Sequence, residues 1–275
     1  MLRFAVLLFL VLLVALLLVR KFERQLVFFP SKYPAGFGRI EAVGRLNISE
    51  VWFSTKDGVK LHGWFVPHPQ PIAMLLMCHG NAGNVSDRYE WLEMLHQHVP
   101  ANLFIFDYRG FGRSESEPTE EGCYQDAEAA FHWLVYKENK LPIILHGHSL
   151  GSAVAVDLAQ RVPDQVAGLI LESAFTNGTD MARLMFGPIP VHWLTTMKWA
   201  SDEKITAITM PKLFLHGEHD SIIPLRLGKK LFDAAAPPKE FVVLPEADHN
   251  DTFVAGGESY YQKICAFVEQ CATNP

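Results

Sequence analysis

Residues 145–158 read LHGHSLGSAVAVDL: an apolar run ends, a serine stands between two glycines, and a run of small residues begins. The preceding PIILHGH has the bulky apolar content of a buried strand, and SLGSAVAVDLAQ has the pattern of a helix. Ser149 therefore sits on a tight strand-to-helix turn. Gly147 and Gly151 leave room for that turn, because a side chain at either position would collide with the neighbouring strand or helix. Ser152, Ala153 and Ala155 let the helix pack close to the sheet. The helix N-terminus offers free backbone N–H groups and a dipole that favours developing negative charge, and the N–H of Leu150 is one such donor. A serine that simply caps the helix is the alternative. It explains Ser149 but not the flanking glycines.

Outward from this turn the chain alternates. VWFST and LHGWFVP are separated by Asp57-Gly58, a hairpin signal, and open an antiparallel pair. Apolar runs and amphipathic segments then take turns: AMLLMCH, a helix over 87–98, NLFIFDY, a helix over 120–138, PIILHGH, a helix over 149–161, VAGLILES, and later KLFLHGE, a helix over 225–235, EFVVLPE and a helix over 259–270. Short continuous apolar strands between helices predict a mostly parallel sheet of eight strands, covered on both faces. Residues 175–204 break the alternation with an apolar, aromatic-rich stretch. They read as a small helical cap, either two short core helices or a lid whose apolar side faces substrate. Phe175, Met185, Phe186 and Trp193 are its candidate pocket residues, with His148 beside the serine.

A serine hydroxyl becomes a useful nucleophile when a histidine takes its proton, and a carboxylate must orient that histidine. His249 follows strand EFVVLPE, in the loop before the last helix. Asp220 follows strand KLFLHGE. Both, like Ser149, lie beyond the carboxyl ends of strands, where open α/β sheets build their sites. Glu172, Glu218 and Asp248 are alternative acids, and His216 lies within a strand and reads as a buried, hydrogen-bonded histidine. The loop His79-Gly80-Asn81-Ala82-Gly83-Asn84 can bring a second oxyanion donor, the N–H of Asn81, close to Ser149. Its rival reading is a plain turn. DYRGFGRS (107–114) contains G-x-G but no third glycine, which makes it a structural loop rather than a dinucleotide site.

The start of the chain differs in kind. Residues 2–19 are apolar except Arg3 and are followed by Arg20, Lys21 and Arg24. Eighteen helical residues extend about 27 Å, close to the hydrocarbon thickness of a bilayer. No small-x-small cleavage site follows, which favours an uncleaved single-pass anchor over a signal peptide. Residues 1–24 are thus the expected membrane anchor, 25–48 a connector and 49–275 the catalytic domain. Positive residues flank both ends. The count of three against one favours a cytoplasmic domain, a rule that short N-terminal anchors often break, so the side stays open. A formal charge of -6 without basic stripes argues against nucleic-acid partners. Cys78, Cys123, Cys265 and Cys271 are scattered, with no zinc spacing, and read as core thiols; Cys265 and Cys271 are close enough in sequence to pair.

With HGNAGN, DYRGFGRS, GHSLGSA, HGEHDSIIP and ADHND in this order, the chain resembles the α/β-hydrolase superfamily over everything after about Phe28. The anchor, FFPSKYP and TKDGVKLHGWFVP look like the membrane-anchored α/β-hydrolase-domain proteins, grouped with serine-aminopeptidase-like and lysophospholipase-like hydrolases. The resemblance implies Ser149 as nucleophile, Asp220 as acid, His249 as base, and Asn81 and Leu150 as oxyanion donors, with no metal or organic cofactor. The expected function is hydrolysis of a hydrophobic acyl ester or thioester, a small-molecule or lipid substrate met at the bilayer. A peptidase or amidase with the same residues, a cofactor-free haloperoxidase or C–C hydrolase, and a non-catalytic interaction protein are the alternatives.

Overall fold

The structure, a computed structural model, describes residues 2–33, 46–137, 140–189, 193 and 195–273. Helix α1 (Leu2–Val27) is followed by a two-residue strand β1 (Phe29–Pro30). The sheet then begins with β2 (Ser49–Ser54), β3 (Lys60–Val66) and β4 (Ala73–Cys78). After the short β5 (Ala82–Gly83) come α2 (Tyr89–His98), β6 (Ala101–Phe106), α3 (Glu120–Lys137), β7 (Ile143–His148), α4 (Leu150–Arg161) and β8 (Gly168–Glu172). The chain continues through α5 (Gly178–Phe186), α6 (Ser201–Lys204), β9 (Lys212–Gly217), α7 (Leu225–Ala234), β10 (Lys239–Leu244), α8 (Thr252–Ala255) and α9 (Gly257–Thr273).

Eight strands form one sheet in the order β10-β9-β8-β7-β4-β6-β3-β2. β10 through β6 run parallel, and β3 and β2 join antiparallel at the far edge. Successive side chains of a strand point to opposite faces, so each apolar strand feeds two cores. Met74, Leu76, Phe104, Leu145 and Leu171 pack with Phe131, Val154 and Leu158 of α3 and α4. Leu75, Met77, Ile105, Ile144 and Ile170 pack with Leu92, Leu95, Ile264 and Val268 of α2 and α9. Burial on both sides is why these strands read as unbroken apolar runs rather than alternating ones. Asp57-Gly58 does turn β2 into β3, with Ser54 paired to Lys60.

The expected elements are present, with shifted ends. α2 starts two residues late because a tighter 3-10 turn, Val85–Arg88, precedes it, capped by Asn84. The 175–204 stretch contains α5 and α6; residues 190–192 and 194 of the expected cap lie outside the described residues. The four cysteines are free, and Cys265 hydrogen-bonds Glu269 rather than pairing with Cys271.

Two N-terminal expectations need restating. Among the described residues no helix is long and apolar enough to cross a membrane, and many side chains of residues 2–19 lie outside that description. Residues 28–31 are no passive connector: β1 pairs in parallel with β5, Phe29 opposite Ala82 and Pro30 opposite Gly83. Residues 34–45 of the connector are outside the described residues.

Candidate active site

The carboxyl ends of β7, β9 and β10 bring three side chains together. Ser149 follows β7 with φ 54° and ψ −122°, a left-handed backbone that costs a non-glycine residue roughly 1–3 kcal/mol. Its surroundings hold it there. The Ser149 N–H donates to the Glu172 carbonyl at 2.9 Å, and its own carbonyl accepts the Ser152 N–H at 2.9 Å. A Cβ on Gly147 would lie 2.4 Å from the Gly151 carbonyl oxygen, and one on Gly151 would lie 1.9 Å from that of Cys78. Strand end and helix start therefore approach within backbone contact only because both positions are glycine. The Ser149 side chain makes no capping bond to α4, so the helix-cap alternative does not describe it.

Ser149 Oγ instead lies 2.9 Å from His249 Nε2. His249 Nδ1 lies 2.9 and 3.0 Å from the two carboxylate oxygens of Asp220. An ionised carboxylate can only accept, so the ring proton belongs on Nδ1, and Nε2 is left to accept from the serine hydroxyl. Asp220 Oδ1 also accepts the N–H groups of Ile222 (3.1 Å) and Ile223 (2.7 Å). Burial pushes the Asp220 carboxyl upward, but the hydrogen bond and charge of His249 and the Ile223 N–H outweigh it and hold it below the usual carboxylate value. Ser149, Asp220 and His249 are all buried, which strengthens each polar contact by excluding water.

Among the described residues none of the other carboxylates considered from sequence hydrogen-bonds the His249 ring. Glu218 is exposed. Asp248 accepts from Ser221 and from the His249 N–H, bracing the loop. Glu172 is buried and contacts His146 (2.9 Å), Tyr260 (2.9 Å) and Thr252. Burial alone would raise it, but His146 leads the contacts that bring it down to about 2.

A cavity of about 640 Å³ opens over Ser149, within the range of small-molecule sites. Its walls are mostly apolar: Phe175 after β8; Met181, Leu184, Met185 and Phe186 of α5; Ile222 and Ile223 after Asp220; Leu26 and Val27 of α1. Asn81 and Leu150 flank the serine in the same wall. Among the described residues neither of their N–H groups donates to a protein acceptor, which leaves both amides able to meet an oxyanion. The Asn81 loop is tied from both sides. Its Nδ2 donates to the Val27 carbonyl at 2.6 Å, and Tyr108 of the DYRGFGRS loop donates to the His79 carbonyl at 2.9 Å.

Two expected pocket residues fall elsewhere. His148 turns behind the serine, its Nε2 2.9 Å from the His249 carbonyl, and burial pushes its ring down to about 4. Trp193 is 78% exposed and does not line the cavity. His216 is buried, with Nε2 2.8 Å from the Ile223 carbonyl. The residues sequence reasoning missed include Glu23, Leu26, Val27 and Phe29 in the cavity wall, and Ile222 and Ile223 beside Asp220; no local pattern announces them.

The family described as alpha/beta hydrolase fold matches residues 73–198. An uncharacterized protein of Mycobacterium tuberculosis is 35% identical over 255 residues, covering 91% of this chain and 88% of its own length. The alpha/beta hydrolase domain-containing protein WAV2 of Arabidopsis thaliana is 31% identical, with 91% and 89% covered. Protein bem46 of Schizosaccharomyces pombe is 32% identical, with 94% and 89% covered. Among solved structures, an esterase of Pyrococcus furiosus superimposes with a TM-score of 0.72 at 19% identity, covering 90% of this chain and 98% of that one. At that identity the likeness is one of fold.

Proposed function

The chain belongs to the α/β-hydrolase family, and from that premise we propose that it is a serine hydrolase cleaving acyl esters or thioesters of hydrophobic substrates, held at a membrane by α1. The observation that carries this reading is the joining of the Ser149–His249–Asp220 relay to an apolar cavity that Asn81 and Leu150 line together with the serine. His249 takes the hydroxyl proton as Ser149 Oγ bonds to the acyl carbon. The oxyanion faces the two amides, and ionised Asp220 stabilises the imidazolium. His249 then gives its proton to the departing alkoxide or thiolate. Water, deprotonated by the same histidine, releases the acid and restores the serine.

Membrane attachment rests on the apolar content of residues 2–19 and on an unbroken helix over Leu2–Val27. The ester reading is preferred to the peptidase reading for a specific reason. Among the described residues lining the cavity the one carboxylate is Glu23, whose oxygens accept from Thr196 and Met197. A peptide ammonium would find no open acid there; Asp202 is held by Asn177.

A panel of butyrate, octanoate and laurate esters beside amino-acid anilides tests this. At about 0.8 kcal/mol, or roughly fourfold, per buried methylene, octanoate is expected to exceed butyrate in kcat/KM by about two orders of magnitude. A flat or falling series, or anilides cleaved faster than esters, would sink the reading.

A further inference from the structure

Helix α1 does not stop at the surface of the hydrolase domain; it ends inside its site. Glu23, Leu26 and Val27 line the same cavity as Ser149, and the segment is fastened on two sides of the serine. On the oxyanion side, Asn81 Nδ2 donates to the Val27 carbonyl (2.6 Å) and the Phe29 N–H donates to the Asn81 carbonyl (2.8 Å). On the cap side, Glu23, 5% exposed, accepts the N–H groups of Thr196 (2.8 Å) and Met197 (3.1 Å) together with the Thr196 hydroxyl. Arg24 adds an ion pair to Glu117. A helix serving as a tether needs none of these contacts.

The surface of α1 points the same way. Leu10, Val14, Leu18, Phe22 and Leu26 recur every fourth residue, which places them along one slowly winding stripe. All five are exposed, and the last of them lines the cavity. Seven residues from Val19 to Leu26 advance about 10 Å. The headgroup layer on each side of the hydrocarbon core is roughly 5–8 Å deep. With residues 2–19 in the bilayer, the cavity wall stands at the outer edge of the headgroups.

We infer that the last two turns of α1 form a wall of the acyl site and that the substrate's acyl chain runs from Ser149 past Leu26 along this stripe into the bilayer. The inference rests on the serine-hydrolase reading and narrows its substrate to a membrane lipid whose chain need not leave the apolar phase completely. α1 is then a specificity element of the enzyme.

The test uses the full chain in lipid nanodiscs, with fluorophosphonate labelling to report the reactive serine and laurate and butyrate esters to report chain selection. Leu26→Trp fills the wall, and Leu26→Asp puts a charge on the stripe. Each is expected to lower the laurate-to-butyrate ratio of kcat/KM about tenfold or more. Tyr136→Ala, an exposed residue of α3 outside the cavity, leaves the ratio unchanged. If Leu26→Trp no longer labels, Leu26→Asp decides. A variant that labels and keeps the wild-type ratio overturns the inference while leaving the hydrolase reading standing. Wild-type protein that does not label takes both down.

Discussion

Replacing Asp220 by asparagine is expected to lower kcat/KM for acyl esters by on the order of 10⁴-fold while the fold survives. Asparagine has the same shape, and its oxygen still accepts from the Ile222 and Ile223 N–H groups that now bind Asp220 Oδ1. Its amide, however, presents a donor to His249 Nδ1. The imidazole must then accept there and carry its proton on Nε2, the atom 2.9 Å from Ser149 Oγ. A ring that donates to the serine cannot deprotonate it, and the imidazolium also loses its carboxylate. Glu218→Gln should change the rate little, because that side chain is exposed. Thermal melts and ester turnover of both variants decide the matter. Asp220→Asn within tenfold of wild type would place the acid elsewhere.

Gly151→Ala should damage stability and rate together. Its Cβ would lie 1.9 Å from the Cys78 carbonyl oxygen and 2.7 Å from that of His79. Both obstacles are backbone, at the end of β4 and just beyond, so no rotamer change relieves them. The first turn of α4 must lift, carrying the Leu150 N–H and Ser149 with it. Overpacking against rigid backbone costs about 3 kcal/mol, the upper end of the usual range, and a displacement near 1 Å in a reacting group costs about 10²-fold in rate. Urea midpoints and turnover of the purified variant measure the two effects. Wild-type values in both would mean that the close approach of α4 to β4 is not what shapes the turn.

These two positions were visible in the amino-acid sequence because they belong to strong local patterns. Eight apolar runs separated by amphipathic stretches lead directly to the sheet, since strands buried on both faces must be apolar throughout. Ser149, Asp220 and His249 each follow such a run, so the topology alone brings their loops to one end of the sheet. The part that was not legible depends on long-range contacts without a period. β1 and β5 are two residues each, too short to show alternation. Glu23 sits among Arg20, Lys21 and Arg24 and reads as one more solvated charge, although it is buried against Thr196 and Met197. His148 was expected in the pocket because of its place beside Ser149, yet the alternation of strand β7 and the sharp turn at the serine direct its ring to the His249 carbonyl. Trp193 was placed by its apolarity alone, and a single aromatic residue in an irregular segment carries no information about which way it faces.

The measurement closest to the central claim is fluorophosphonate labelling of the detergent-solubilised full chain, comparing wild type with Ser149→Ala and His249→Ala. The probe reacts with a serine only when a neighbouring base activates it. Wild type is expected to label and both variants to stay unlabelled while remaining folded. Folded wild type that does not label, or Ser149→Ala that still does, would contradict the assignment of Ser149 as the activated nucleophile.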